Sequence, residues 1–189
     1  MATFLYSTTT QAGVDPNAVF QLNVVNNPEY PAPPFLPGEL MWGTDGSEFV
    51  YATSSITIAA GSVVIFSPTP GSWSVALLNN TNGRTDFGQL VGVVGGATGS
   101  VNIPAPGTNV TGNYFWVQRA GNAQKVLSGY TLGTTFALTH TSTVGGQIGA
   151  TGGAGTSAQI AGIVFSQVPT ATGAGYNAVL NYPTVGTAD

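Results

Sequence analysis

From residue 38 onward, apolar and polar residues alternate in short runs that Gly, Pro, Asn and Asp interrupt every few positions. Period-two alternation marks strands, and those four residue types mark the turns between them. Residues 39–42 and 48–51 flank Thr44-Asp45-Gly46-Ser47, where Asp-Gly predicts a hairpin with a type I′ turn. Residues 56–58 and 62–66 predict a second strand pair, closed by the Pro/Gly stretch at 67–71, and residues 73–78 continue the pattern. Asn79-Asn80-Thr81-Asn82-Gly83 predicts a turn, because Asn and Gly tolerate positive φ. Further strands are predicted at 87–94, 113–119 and 133–140, and residues 161–165 and 178–182 predict the closing strands. Gly/Pro-rich loops are expected at 95–112 and 144–155. With no helical stripe and no repeat period, the expected fold is all-β, a β-sandwich or partly closed β-barrel over residues 38–189.

The first 37 residues have a different character. A Thr-rich start leads through Phe20-Gln21-Leu22-Asn23-Val24-Val25 to Pro28, Pro31, Pro33, Pro34 and Pro37. Proline fixes φ and lacks a ladder donor, so this end is extended and non-helical. Residues 1–37 are therefore expected to form an N-terminal arm that reaches a neighbouring subunit through Phe4, Leu5, Tyr6, Phe20, Leu22 and Val24. On that reading, removing the arm leaves a soluble domain. The alternative is an ordinary first strand followed by a long loop.

In the strand at 113–119, alternation sets Tyr114, Trp116 and Gln118 on one face and Phe115, Val117 and Arg119 on the other. Both faces are largely apolar. Such a strand is either covered on both sides within its own domain or meets another chain with its outer face. Trp116 is expected to be a packing anchor, and Tyr114 and Trp116 are also candidates for an interface.

Charge changes the functional picture. Among 189 residues there are seven acidic and three basic side chains, where an average domain of this length has roughly 45 to 50 charges. Area scaling gives about 8,000 Å² of folded surface, so charge-free patches as large as an interface must exist. Three cations and a net charge of -4 remove the counterion-release term, and no nucleic-acid partner is expected. The absence of Cys excludes disulfides, thiolate metal sites and a thiol nucleophile. No apolar run has the length of a signal peptide or a membrane span, so neither general export nor a membrane partner is expected.

Candidate chemistry is sparse. His140, the lone histidine, shares its face with Phe136 and Leu138 and has no Gly-x-Ser-x-Gly context, which suits a structural strand histidine. Asp15, Glu29, Glu39, Asp45, Glu48, Asp86 and Asp189 are scattered along the chain. Asp45-Gly46-Ser47-Glu48 offers too few oxygens for Ca²⁺ and reads as a hairpin turn. Gly92-Val93-Val94-Gly95-Gly96-Ala97-Thr98-Gly99 lacks the Gly-Lys-Ser/Thr ending of a phosphate loop. No catalytic residue, cofactor or metal is expected.

Residues 45–51, 58–64, 88–93 and 114–121, four stretches in all, carry a resemblance to the decoration, or cement, proteins of tailed-bacteriophage capsids. They are Asp45-Gly46-Ser47-Glu48-Phe49-Val50-Tyr51, Ile58-Ala59-Ala60-Gly61-Ser62-Val63-Val64, and Gly88-Gln89-Leu90-Val91-Gly92-Val93 followed by Tyr114-Phe115-Trp116-Val117-Gln118-Arg119-Ala120-Gly121. The likeness spans roughly residues 38–165, and Phe115 stands where such proteins often have glycine. It implies a non-enzymatic, all-β virion protein, made in the host cytoplasm, that sits on the capsid surface and clamps neighbouring subunits. Its partners would be the major capsid protein and copies of itself, as a trimer or another small homo-oligomer. Another phage structural subunit (tail tube, baseplate or fibre) is the alternative, ahead of a Thr/Gly-rich adhesin.

Overall fold

The computed structural model describes residues 5–7, 14–23, 33–43, 45–67, 69–85, 88–95, 102–103, 110–130, 140–149 and 157–188. The elements are β1 (Leu5–Ser7), β2 (Phe20–Asn23), β3 (Leu40–Gly43), β4 (Glu48–Ser54), β5 (Val63–Phe66), β6 (Val75–Leu77), α1 (Asn80–Thr85), β7 (Val91–Val94), β8 (Val110–Leu127), β9 (His140–Thr141), β10 (Ile148–Gly149), β11 (Ala158–Phe165) and β12 (Gly175–Ala188). The strands form a curled antiparallel sheet, a half-barrel, as the all-β reading anticipates. Among the described residues no helix is long and apolar enough to cross a membrane.

The spine is β8, longer at both ends than the 113–119 segment that alternation marks. Val117 and Gln118 each pair with both β4 and β7, so those strands occupy opposite edges. β2 pairs at Tyr114 and β12 at Ala120, where β4 also pairs, so β2, β7 and β12 follow one another along the edge away from β4. The sheet curls around this shared strand. β5 lies inside the curl with Val63 and Ile65 in one packed cluster and Val64 and Phe66 in another, which is why all four are buried and alternation fails there.

Phe115 and Val117 face the cluster of Val64 and Phe66, and Ala123 and Val126 face that of Val63 and Ile65. On the reverse side of β3, β4 and β8 lies a third cluster of Met41, Phe49, Tyr51 and Trp116, against which Val14, Phe35 and Tyr114 pack. Phe35 sits 5.4 Å from the Tyr51 ring and 5.0 Å from Trp116.

The strand at 113–119 is thus covered on both sides by its own chain. This differs from the expected arm: β1 extends β3, β2 extends β8, and Val14 and Phe35 roof an apolar face. The physical reason is that the apolar rings of β4 and β8 would otherwise face water, and the N-terminal segment is close enough to cover them. Phe4 and Val24 lie outside the described residues.

Three local expectations also change. Asp45 does not have positive φ and Gly46 does (80°), so the β3–β4 loop is not type I′. Gly46 N–H donates to Gly43 O and Gly43 N–H to Ser47 O, giving a three-residue loop that ends in a left-handed glycine. Residues 56–58 form no strand, and only Ile58 bridges, to Ile103. The Asn-rich segment forms α1 because Asn79 Oδ1 accepts from the N–H groups of Thr81 and Asn82, at 2.8 and 3.1 Å, and so caps a helix.

Candidate functional site

The rim where the core of β4 runs out carries a polar group drawn from several strands. Glu48 continues the face of Val50 and Ala52, which are core residues, and is itself only 6% exposed. Trp42 lies opposite it across the β3–β4 ladder and donates its indole N–H to Glu48 Oε2 at 3.2 Å. Tyr182, from β12, donates its hydroxyl to the same oxygen at 3.0 Å. Arg119 of β8 lies with its guanidinium 5.6 Å from the centroid of the Tyr182 ring.

Backbone irregularities deliver these side chains. Opposite β4, Arg119 is the extra residue of a bulge, since Phe49 pairs with Gln118 and Glu48 with Ala120. Gln118 is buried and stiffens that bulge by donating from Nε2 to the carbonyls of Ala120 and Asn122, both at 3.1 Å. Gly121 has φ 89°, and a Cβ there would stand 2.5 Å from Ser47 Oγ, so only glycine lets the chain turn so close to β4.

On β12, residues 181–183 face only Gly162 of β11, because Ala161 pairs with Thr184 and Ile163 with Leu180. Pro183 has no N–H to give the ladder, which accounts for a break here. Tyr182, just before that proline, takes φ 46° and is the only described non-glycine residue at positive φ. That conformation costs on the order of 1 kcal/mol or more and persists only where neighbours enforce it.

The electrostatics follow the geometry. The hydrogen bond to Glu48 and then its charge hold the Tyr182 hydroxyl above its ordinary pKa. Burial pulls the Arg119 pKa down, while Glu48 and Tyr182 pull it back up. Arg119 Nε is buried with no acceptor among the described residues.

A second surface lies on the strands that close the sheet. Asn122, Val179 and Val164 form one row across β8, β12 and β11. Val164 is 62% and Val179 46% exposed, and the neighbouring Gln124, Asn177 and Asn181 are exposed and uncharged.

Of the residues singled out from sequence, Trp116 is buried 4.8 Å from Tyr51. It packs in the chain's own core, and Phe35 covers its outward face, so it does not offer the interface surface also expected of it. Tyr114 is half-buried, stacked 6.1 Å from Tyr51 and edge-on to Phe20 at 6.3 Å. Leu5, Tyr6 and Leu22 lie on β1 and β2. His140 is buried at 1% on β9, beside Gln159 of β11. Asp15 and Asp45 accept from the N–H groups of Asn17 and Ser47 in local turns. Glu29, Asp86 and Asp189 lie outside the described residues.

Sequence reasoning missed Trp42, Glu48, Arg119 and Tyr182 as a group, because they come from four strands, β3, β4, β8 and β12, and only the first two are neighbours in the chain. The one local signal is Pro183, which directly follows the strand predicted at 178–182 and lies inside the longer β12. The fold is an all-β half-barrel, and these two surfaces expose rings, amides and valines. Comparison with known protein families, with characterised proteins and with solved structures finds no match.

Alkaline pH tests the buried rings. Burial, then the neighbouring Tyr114 and Glu39, raises the Tyr51 pKa; burial raises that of Tyr130; and Glu48 raises that of Tyr182. Tyr176 moves the other way, chiefly through its hydrogen bond with Thr170. For the three raised groups the folded state holds its proton after the unfolded state has lost it. Their contribution is complete below the unfolded value near pH 10 and is lost as pH rises through the folded values. Thermal melts should therefore stay level to about pH 10 and fall above it, with the fall shallower in Tyr51→Phe. A level profile in this range would contradict the burial of Tyr51.

Proposed function

We propose that the chain is a structural protein of a virion: a decoration protein that binds the outside of a phage capsid, holds neighbouring capsid subunits together and acts as a homo-oligomer without catalysis. The observation that carries this reading is the uncharged outer row Asn122–Val179–Val164, with two valines left in water on a regular three-strand surface. Its setting adds support. The chain exposes 8849 Å² and has ten charged residues, roughly one per 900 Å², against about 800 Å² for one partner's share of a standard interface. A face of that kind gains by burial against protein and loses little charge hydration. The resemblance of residues 45–51, 58–64, 88–93 and 114–121 to decoration proteins names the shell as the partner.

The test is co-sedimentation with empty phage capsids assembled from a major capsid protein in the absence of this protein. Saturable attachment at a fixed copy ratio, with a higher temperature of shell disruption, is the expected result. Val164→Lys with Val179→Lys should weaken attachment at least about tenfold while leaving the melting temperature unchanged, since both side chains are exposed. Failure to bind shells, with binding to tail tubes or baseplates instead, would replace the reading by that of a tail component.

A further inference from the structure

The Trp42–Glu48–Arg119–Tyr182 rim is separate from the valine row and needs its own explanation. Both rings are pinned at their polar tips to one carboxylate oxygen, by bonds of 3.2 and 3.0 Å, while 38% of Trp42 and 50% of Tyr182 remain in solvent. Rings that served only packing would be turned inward, as Tyr51 and Trp116 are. These two are instead fixed in direction and left open, and one of them is held in a backbone conformation that a tyrosine rarely adopts.

The charges narrow what such a surface can take. Glu48 disfavours a phosphate or carboxylate brought up to the rings, and Arg119 disfavours a cation. A purely apolar ligand would cover guanidinium donors without giving them an acceptor, and Nε already lacks one. What remains is a ligand with no net charge, with C–H faces to lie against aromatic rings and hydroxyls that both donate and accept. We propose that this rim binds a neutral carbohydrate, with Trp42 and Tyr182 stacking on the sugar faces and Arg119 donating to its oxygens. Glu48 holds the two rings in place and is a positioning residue. Such binding is independent of shell attachment: a shell protein with this rim would also engage neutral glycans.

The experiment uses the full chain and a panel of neutral tetrasaccharides built from glucose, galactose, mannose or N-acetylglucosamine, read by calorimetry and tryptophan fluorescence. At least one member should bind saturably with a Kd of about 1 mM or tighter, and Trp42→Ala and Tyr182→Gly should each weaken it at least about tenfold. Glycine accepts positive φ, so Tyr182→Gly removes the ring while easing the backbone, and its melting temperature should not fall far. Conservative Tyr182→Phe keeps the stacking face and should retain most of the binding.

Absence of binding by every member at about 10 mM would overturn the proposal. So would binding that survives both ring substitutions. Capsid co-sedimentation of the same variants separates the two readings. If Trp42→Ala and Tyr182→Gly abolish shell attachment and no sugar binds, the rim is a protein interface. If sugar binding behaves as expected while no variant attaches to shells, the carbohydrate site stands and the decoration reading falls.

Discussion

Trp116→Ala is expected to lower the free energy of unfolding by about 3 to 5 kcal/mol, the range for removing a large aromatic side chain from a packed core. The ring is 2% exposed, lies 4.8 Å from Tyr51 and 5.0 Å from Phe35, and shares its cluster with Met41 and Phe49. Alanine leaves a cavity that neighbours on a rigid sheet cannot fill. Trp116→Phe keeps most of the volume and should cost about 1 to 2 kcal/mol. Urea unfolding of the isolated protein measures both. A loss below about 1 kcal/mol for the alanine variant, together with lost shell attachment, would mean that the ring faces a partner and that its inward packing is wrong.

Deleting residues 1–37 is the other large effect. The deletion takes away the β1 ladder on β3, the β2 ladder on β8, and the cover that Val14 and Phe35 give Tyr51 and Trp116. It bares two strand edges beside an apolar aromatic face, a combination that invites edge-to-edge association. The product should aggregate, or melt at least about 10 °C below the full chain. Phe35→Ala isolates one part of this and should cost about 2 kcal/mol, less than a full burial because the ring is half-covered. A soluble deletion product with an unchanged melting temperature would restore the arm reading, in which these residues belong to a neighbour.

Both expectations turn on the same contrast between local and long-range information. The alternation at 48–51 and 113–119 and the position of the loop at Gly46, though not its type, are legible in sequence because a strand's facing and a glycine's place in a tight loop are set by residues next to one another. So is the low charge, which by itself points away from nucleic acid. The short helix at Asn80–Thr85 was hidden, since six Asn- and Thr-rich residues have no apolar stripe and form a helix only because Asn79 caps it within a packed neighbourhood.

The sheet's connectivity depends on which edges meet, and that was decided by the fold. Two-sided apolarity at Tyr114 to Val117 revealed that both faces must be covered, yet it carried no information about whether Val14 and Phe35 or another chain would cover the outer one. The rim was equally invisible. Trp42, Glu48, Arg119 and Tyr182 converge because the β3–β4 ladder, a bulge in β8 and a break at Pro183 bring four strands together at one carboxylate. The sequence by itself determined strands, turns and a surface poor in charge, since those follow from neighbouring residues. Only the tertiary structure decided which rings are buried and which are held open to solvent, because that depends on contacts between residues far apart in the chain, such as Phe35 with Trp116 and Tyr182 with Glu48.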